Sequence, residues 1–276
     1  MSPSSGAGRL VVCPTPIGNL EDVTLRVLSA LREADVIACE DTRTTKVLLD
    51  RYGVSAERVR YDAHTERRVA PRLVERMRGG AVVALVSDAG MPLVSDPGLV
   101  LVQACMAAGL EVEVLPGPSA ALAAVVASGI EASTWRFVGF LPRKRGALVE
   151  VFGSPEVVVA FESPRRVGSS LATLAEVDPE RPVAVCRELT KLHEEVVRGS
   201  AASLAARYAD EAPRGEVVLV IGGAAVGGEA DLGPAMAALR RLVDDAGARP
   251  RPAATVVAEL TGTSANALYC ALTDTN

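Results

Sequence analysis

The sequence has little of what usually announces a reaction. Its two histidines, His64 and His193, are isolated, so no metal set and no Ser/His/Asp or Cys/His nucleophilic set can be assembled around them. The five cysteines (Cys13, Cys39, Cys105, Cys186 and Cys270) are far apart and show no CxxC spacing. That excludes a zinc ribbon and reads as reduced, mostly buried thiols. Aromatic residues make up 3% of the 276 residues, too few for a surface that stacks bases along its whole length. Positive charge is in deficit: the formal net charge is −5, which excludes a broadly cationic nucleic-acid binder but not a local basic patch. The longest apolar run, Leu99–Leu110, is broken by Gln103, is too short to span a bilayer and reads as a buried helix. Met1–Gly8 is small and polar, with no cationic stretch ahead of an apolar one. The expectation is a cytoplasmic protein without signal peptide or membrane contact. Two nucleotide signals are also missing. There is no GxxxxGK[ST] phosphate loop, and no GxGxxG follows the first strand.

What is present is an alternation of short β-branched runs with helical spacing. Leu10–Cys13, Val36–Cys39, Val59–Tyr61, Val82–Val86 and Val112–Leu115 read as strands, with Leu25/Leu28/Leu31 and Leu73/Val74/Met77 as helical stripes between them. This predicts a largely parallel sheet with helices on both faces, Thr24 and Thr42 as helix caps and Gly109 as a helix end. A second set comes after it: Phe137–Phe140, Val157–Phe161, Val183–Cys186, Glu195–Val197 and Val217–Ile221, with helices near Arg143–Phe152, Pro164–Val177 and Ala201–Ala209. Glu195–Val197 follows Val183–Cys186 too closely for a crossover helix, so this second sheet should be mixed. The chain thus reads as α/β with residues 1–120 and 121–226 as two α/β domains. Residues 227–276 form a small helical extension behind the Gly-rich stretch Ala224–Gly233, with helical patterns over Pro234–Ala246 and Ala253–Thr273.

The motifs cluster at strand ends. Thr15-Pro16-Ile17-Gly18-Asn19-Leu20 follows the first strand, and Pro and Gly together suit either a rigid ligand turn or a plain strand-to-helix turn. Glu40-Asp41-Thr42-Arg43 ends the second strand, where carboxylates face a ligand crevice or merely cap a helix. Ser87-Asp88-Ala89-Gly90-Met91-Pro92-Leu93-Val94-Ser95-Asp96-Pro97-Gly98 is longer and more constrained than an ordinary crossover and favours a ligand loop. Pro116-Gly117-Pro118-Ser119 opens a helix whose first amides suit an oxyanion. Arg143-Lys144-Arg145 and Arg165-Arg166 are cationic runs on an acidic chain, either solvated faces or a phosphate grip. Arg187-Glu188-Leu189-Thr190-Lys191 reads as a surface ion pair and Gly215–Val220 as a core strand.

No single motif names a reaction, but their succession does. TPIGNL, EDTR, SDAGMPLVSDPG, PGPSA, GFLPRKR, FESPRR, RELTK and GEVVLV, running from about Leu10 to Ile221, resemble the tetrapyrrole-methylase-like methyltransferases. Within them the pattern is similar to the branch that methylates a cytidine 2′-hydroxyl of 16S rRNA. Pro14 departs from that pattern, standing where a small residue is expected. The resemblance implies two α/β domains of the class III methyltransferase type, S-adenosylmethionine in the cleft between them, a homodimer, and 16S rRNA in the small ribosomal subunit as partner. Matched by motif, Pro16, Ile17, Gly18, Ser87, Asp88, Ala89, Gly90, Met91 and Ser119 would hold the cofactor, with Glu216 and Val217 meeting its adenine through backbone groups. Glu40, Asp41, Asp88, Glu162 and Lys191 are the candidate proton acceptors, and Arg43 could fix a phosphate; no one of them stands out as the base. Arg143, Lys144, Arg145, Arg165 and Arg166 would grip RNA phosphates, and no metal is required. The rivals are a methylase acting on a small tetrapyrrole and an adaptor that has lost the cofactor. An apolar surplus at Leu99–Ala108 and Ala120–Val126 adds weak support for the dimer, and the helical extension is expected to touch RNA through Arg240-Arg241 and Arg249/Arg251.

Overall fold

A computed structural model describes residues 8–224, 232–261, 263 and 265–273. The chain divides into two compact units, Met1–Phe152 with Val157–Gly222, and Gly153–Glu156 with Gly223–Asn276.

The larger unit holds two five-stranded sheets. The first is built from β1 (Arg9–Cys13), α1 (Leu25–Glu33), β2 (Val36–Cys39), α2 (Thr42–Arg51), β3 (Glu57–Arg60), α3 (Glu66–Arg78), β4 (Val82–Val86), α4 (Leu99–Ala107) and β5 (Glu111–Val114). Its order is β3-β2-β4-β1-β5 and every pairing is parallel. Alternate residues of β1 serve opposite cores. Leu10 and Val12 pack with α3 and α4, whereas Val11 and Cys13 pack with α1 and α2. The connections leaving the adjacent strands β1 and β4 therefore run over opposite faces. That is a topological switch point, where a crevice opens beyond the carboxyl ends of the strands.

The second sheet begins after α5 (Ala120–Ser128). It comprises β6 (Trp135–Phe140), α6 (Arg145–Phe152), β7 (Val157–Glu162), α7 (Val167–Val177), β8 (Pro182–Arg187), β9 (Glu195–Ser200), α8 (Ala201–Arg207) and β10 (Val217–Ile221). The order is β6-β7-β10-β8-β9, with β6–β7 parallel and the other pairs antiparallel, as the short β8–β9 connection requires. Helices α6, α7 and α8 cover one face, and α5 covers the other. Ile17, from the loop after β1, is part of the core on that second face, so the first sheet's turn is keyed into the second sheet's interior.

In the smaller unit, α9 (Leu232–Arg240), a π-helical turn over Arg241–Asp245, α10 (Pro250–Thr261) and α11 (Ala265–Thr273) share a small core around Leu239, Val257 and Leu268. The helical pattern over Ala253–Thr273 is divided between two helices, α10 and α11. Of the predicted linker, residues 225–231 lie outside the described ones.

Two further expectations need correction. Asp41, not Thr42, caps α2: its carboxylate accepts the Arg43 amide while Thr42 is already helical. The run Leu99–Leu110 is not a buried helix. Only Leu101 and Cys105 of α4 are buried, while Leu99 and Met106 are 56% and 64% exposed. An evenly apolar nine-residue helix carries no pattern to say which side faces the core, so periodicity cannot find the exposed one.

Candidate active-site cleft

The loop after β1 and the loop after β4 are stitched together. Thr15 and Gly90 exchange both backbone hydrogen bonds, at 2.9 and 3.0 Å. The Thr15 hydroxyl donates to the Ser87 carbonyl and the Ser87 hydroxyl to the Gly90 carbonyl, each at 3.0 Å. Gly90 sits at φ +79°, a conformation that favours glycine, and a Cβ there would press on the Ile17 side chain at 3.3 Å. Leu93 and Ser95, farther along the same loop, hold φ of 72° and 70°. Such values in non-glycine residues store strain that the surrounding hydrogen bonds must hold.

The opposing rim is equally constrained. Glu188 and Thr190, after β8, have φ of 50° and 66°. The Glu188 amide donates to the Glu216 carbonyl (3.0 Å), and the Glu216 amide returns a bond to Glu188 Oε1 (2.9 Å). Lys191 Nζ reaches Glu188 Oε1 and Glu216 Oε2 at 2.9 and 3.0 Å. Gly215, at φ +84°, has no room for a Cβ because the Glu188 carboxyl would lie 2.3 Å away. The two rims meet where the Asn19 amide donates to the Thr190 hydroxyl at 3.0 Å and where Gly18 packs against Lys191.

Between the rims lies a cavity of about 270 Å³. One wall comes from Ile17, the loop Ala89–Asp96 and Ser119; the other from Phe140, the β7 end Phe161–Pro164, Leu189 and the start of β10. The lining is mostly apolar with a few convergent polar groups, as small-molecule sites commonly are.

The cleft divides the expected residues. Ile17, Ala89, Gly90, Met91, Ser119, Glu216 and Val217 line it. Pro16, Gly18, Ser87 and Asp88 do not line it: Pro16 is buried, Ser87 is buried in the stitch, Gly18 is exposed where the rims meet, and half-buried Asp88 accepts the Asp41 amide at 3.0 Å, tying the β2 end to the β4 end. Ser119 caps α5 by accepting the Leu122 amide and keeps its O–H free to donate. The Glu216 N–H is occupied by Glu188, so it has no donor left for an adenine.

Among the candidate proton acceptors, Asp41 and Arg43 satisfy each other through a bidentate pair outside the cleft, which holds the Asp41 carboxyl well below the usual range and Arg43 above its own. Lys191 is pulled down by burial, but its bonds to Glu188 and Glu216 outweigh that and hold it above the ordinary lysine value. A lysine base with a lowered pKa is therefore not what the structure offers. Glu162 does reach the cleft, but its fully buried carboxylate already accepts the Ser163 amide (2.7 Å) and the Ser170 hydroxyl (2.6 Å) and lies 3.3 Å from Arg166. Glu40 is raised by burial and then by Asp88, Asp62 and Asp41, yet does not line the cavity.

The residue missing from the sequence-derived set is Asp96. It lines the cavity, and burial, reinforced by Glu40, Asp88 and Glu216, pushes its carboxyl up to about 6. Its signal is present as the second Ser-Asp pair of the long loop, but nothing in the sequence says which Asp of that loop faces inward.

The cationic runs also separate. Arg166 donates to the Leu141 and Pro142 carbonyls at 3.1 and 2.8 Å besides pairing with Glu162, so it anchors a loop rather than facing solvent. Arg145 pairs with Glu176. Arg143, Lys144 and Arg165 are exposed and, among the described residues, make no salt bridge. Among those residues, too, no group of three or more His, Cys, Asp or Glu is placed to hold a metal, and no helix is long and apolar enough to cross a membrane.

Residues 9–205 match the family model of the tetrapyrrole (corrin/porphyrin) methylases. The chain is 43% identical over 267 residues to the ribosomal RNA small subunit methyltransferase I of Mesorhizobium japonicum, covering 94% of this chain and 90% of that protein. It is 42% identical over 219 residues to the protein of the same name from Thermotoga maritima, covering 78% and 99%. Among solved structures, uroporphyrin-III C-methyltransferase from Thermus thermophilus complexed with S-adenosyl homocysteine superposes with a TM-score of 0.58 at 21% identity, covering 78% of this chain and 97% of that one. A diphthine synthase superposes at 0.59 with 17% identity, covering 78% and 90%. At these identities the superpositions establish the fold.

Proposed function

The chain belongs to the tetrapyrrole (corrin/porphyrin) methylase family, and within it we propose that it transfers a methyl group from S-adenosylmethionine to the ribose 2′-hydroxyl of a cytidine in small-subunit 16S rRNA. The observation that carries this reading is similarity along nearly the whole chain to proteins named ribosomal RNA small subunit methyltransferase I. Arg143, Lys144 and Arg165, exposed, without a salt bridge among the described residues and close in sequence to the cleft-lining Phe140 and Pro164, support a polyanionic acceptor.

The residues present fit the cofactor. Apolar side chains of Ile17, Met91 and Leu189 suit its hydrocarbon and adenine parts, and the close backbone at Gly90 suits a chain that must approach tightly. When bound, S-adenosylmethionine supplies a methyl group activated by a sulfonium. The protein's part is to orient the hydroxyl and accept its proton. Asp96, on the cavity wall with its carboxyl raised to about 6, is the carboxylate best placed for that acceptance. Lys191 contributes fixed positive charge and holds Glu188 and Glu216 in place. Exposed apolar side chains at Leu99 and Met106 on α4, and Leu122 and Val126 on α5, support a homodimer. Light scattering at working concentration should give twice the 28.7 kDa chain mass, and a strictly monomeric mass refutes the dimer. The cytoplasm is where such a partner would be met.

Mass spectrometry of 16S rRNA tests the reading. Cells lacking the protein should lose one 2′-O-methylated cytidine and regain it when the full chain is restored. Unaltered rRNA in those cells, or no calorimetric binding of S-adenosylmethionine at millimolar concentration, overturns it.

A further inference from the structure

Phe140 is the only aromatic among the large hydrophobic side chains that the described residues leave exposed, at 60%. The chain has only four phenylalanines, and leaving most of one in water forgoes part of the stabilisation its burial would bring. Its placement is built. The β6–β7 pairing shifts register between Phe137 and Phe140, and Gly139, inside that irregularity, takes φ +65°. A bulge of this kind re-aims a side chain. A Cβ on Gly139 would sit 3.3 Å from the Ser95 hydroxyl, so the turned backbone lies directly against the cleft's other wall. The ring then stands on the cleft lining, held edge-on by Phe161 at 5.6 Å and 66°, and Phe161 is held in the same manner by Phe137 at 5.0 Å and 71°.

The segment after Phe140 supplies charge. Leu141 and Pro142 are fixed through their carbonyls by Arg166, and Arg143 and Lys144 come next, exposed and without a salt bridge among the described residues. The Cα atoms of Arg143 and Lys144, three and four residues on, lie at most about 11 and about 14 Å from that of Phe140. A flat apolar face beside positive charge is the recognition chemistry of an unpaired nucleotide: the base stacks on the ring and neighbouring phosphates meet the cations.

We propose that Phe140 is the platform on which the base of the acceptor nucleotide stacks while its ribose enters the cleft, with Arg143 and Lys144 holding adjacent phosphates. This rests on the RNA-methylating function and adds to it a positioning residue and a conformation, since the acceptor must present its base unstacked. A phenyl ring accepts the face of any base, so the platform orients the nucleotide and does not read its identity.

The full-length protein tests this with small ribosomal subunits as acceptor. Phe140→Leu keeps an apolar side chain and removes the π-face. It should reduce kcat/KM for the subunit about 5- to 150-fold, the range of one stacked base, and leave the Kd for S-adenosylmethionine within about twofold. Phe140→Trp and Phe140→Tyr should restore the rate. Loss of the one edge-on contact with Phe161 should lower the thermal midpoint by no more than a few degrees, which separates loss of stacking from misfolding. In Phe140→Trp the indole emission should also be quenched by a single-stranded, cytidine-containing oligoribonucleotide beyond any response of wild-type Trp135. An unimpaired leucine variant overturns the proposal. So does an equal loss of cofactor affinity, which would make Phe140 an adenine contact, and so does failure of both aromatic variants to rescue. If the wild type methylates no ribosomal RNA but the quenching is present, the rRNA-methylating function fails and the platform stands.

Discussion

The two walls of the cleft are made from opposite materials. The wall from the first sheet is a lattice of backbone bonds: Thr15 with Gly90, Ser87 behind them, and a loop held at positive φ at Leu93 and Ser95. Its one charged lining group is the carboxylate Asp96, with Glu40 and Asp88 close enough behind it to raise its pKa. The wall from the second sheet is aromatic and cationic toward its mouth, with Phe140 on Phe161 and the run Arg143-Lys144 beyond. Such a division suits two ligands of unlike demand. A small cation-bearing cofactor wants tight backbone and negative charge; a polyanionic acceptor wants rings and positive charge. The whole chain's net charge of −5 hides the cationic run beyond the second wall, because a sum over the chain cannot register a local cluster.

The comparison breaks most sharply at Asp96. With its carboxyl at about 6 against an ordinary 3.8, the folded protein binds that proton more tightly than the unfolded chain does. The associated stability is present below 3.8 and is lost as pH rises through about 6. Asp96→Asn should therefore raise the thermal midpoint at pH 8 and converge with the wild type near pH 4. Activity should move the other way. If Asp96 accepts the hydroxyl proton, the wild-type rate rises through about pH 6, and the variant loses that limb together with about 10²–10⁴ in kcat. The KM for the subunit should be unchanged, because this wall does not hold the acceptor's phosphates. A variant with full kcat and an intact acid limb would move the chemistry off the first wall.

How far this is legible in the sequence differs between the walls for a physical reason. The parallel sheet, the mixed second sheet and the rigid Ser87–Gly98 loop are written in short-range terms: alternation, turn residues and connection length. Those terms locate loops but not the direction in which a side chain points within them. Motif matching assigns Ser87 and Asp88 to the cofactor, whereas the loop residue whose carboxyl group belongs to the cavity lining is Asp96, farther along. The same limit hides Glu188. Its sequence reads as a surface ion pair, but it holds the Glu216 backbone from a strained φ that only the structure reveals. Alternation makes Phe140 simply the end of a strand, because a bulge centred on Gly139 leaves no mark on a two-residue period.

Arg165 and Arg166 sharpen the comparison within the second wall, with a smaller effect. Adjacent in sequence and alike in charge, they are expected from sequence to act alike on RNA. Arg165 is exposed and, among the described residues, without a salt bridge; Arg166 is bound to the Leu141 and Pro142 carbonyls and to the buried Glu162. Arg166→Ala removes hydrogen bonds made by a charged group and leaves Glu162 short of a partner, which should destabilise the fold by about 1.5–3 kcal/mol. Because the bonds it loses fix the segment between Phe140 and Arg143, acceptor binding should weaken as well, by loosening the loop and not by losing a phosphate contact. Arg165→Ala should leave the denaturation midpoint where it is and make subunit binding less sensitive to salt by roughly one counterion. Denaturant titration and a salt series on both variants separate the two roles. Equal salt slopes and equal midpoints for the pair would mean that Arg166 also meets phosphate and that its bonds to Leu141 and Pro142 do not hold the loop.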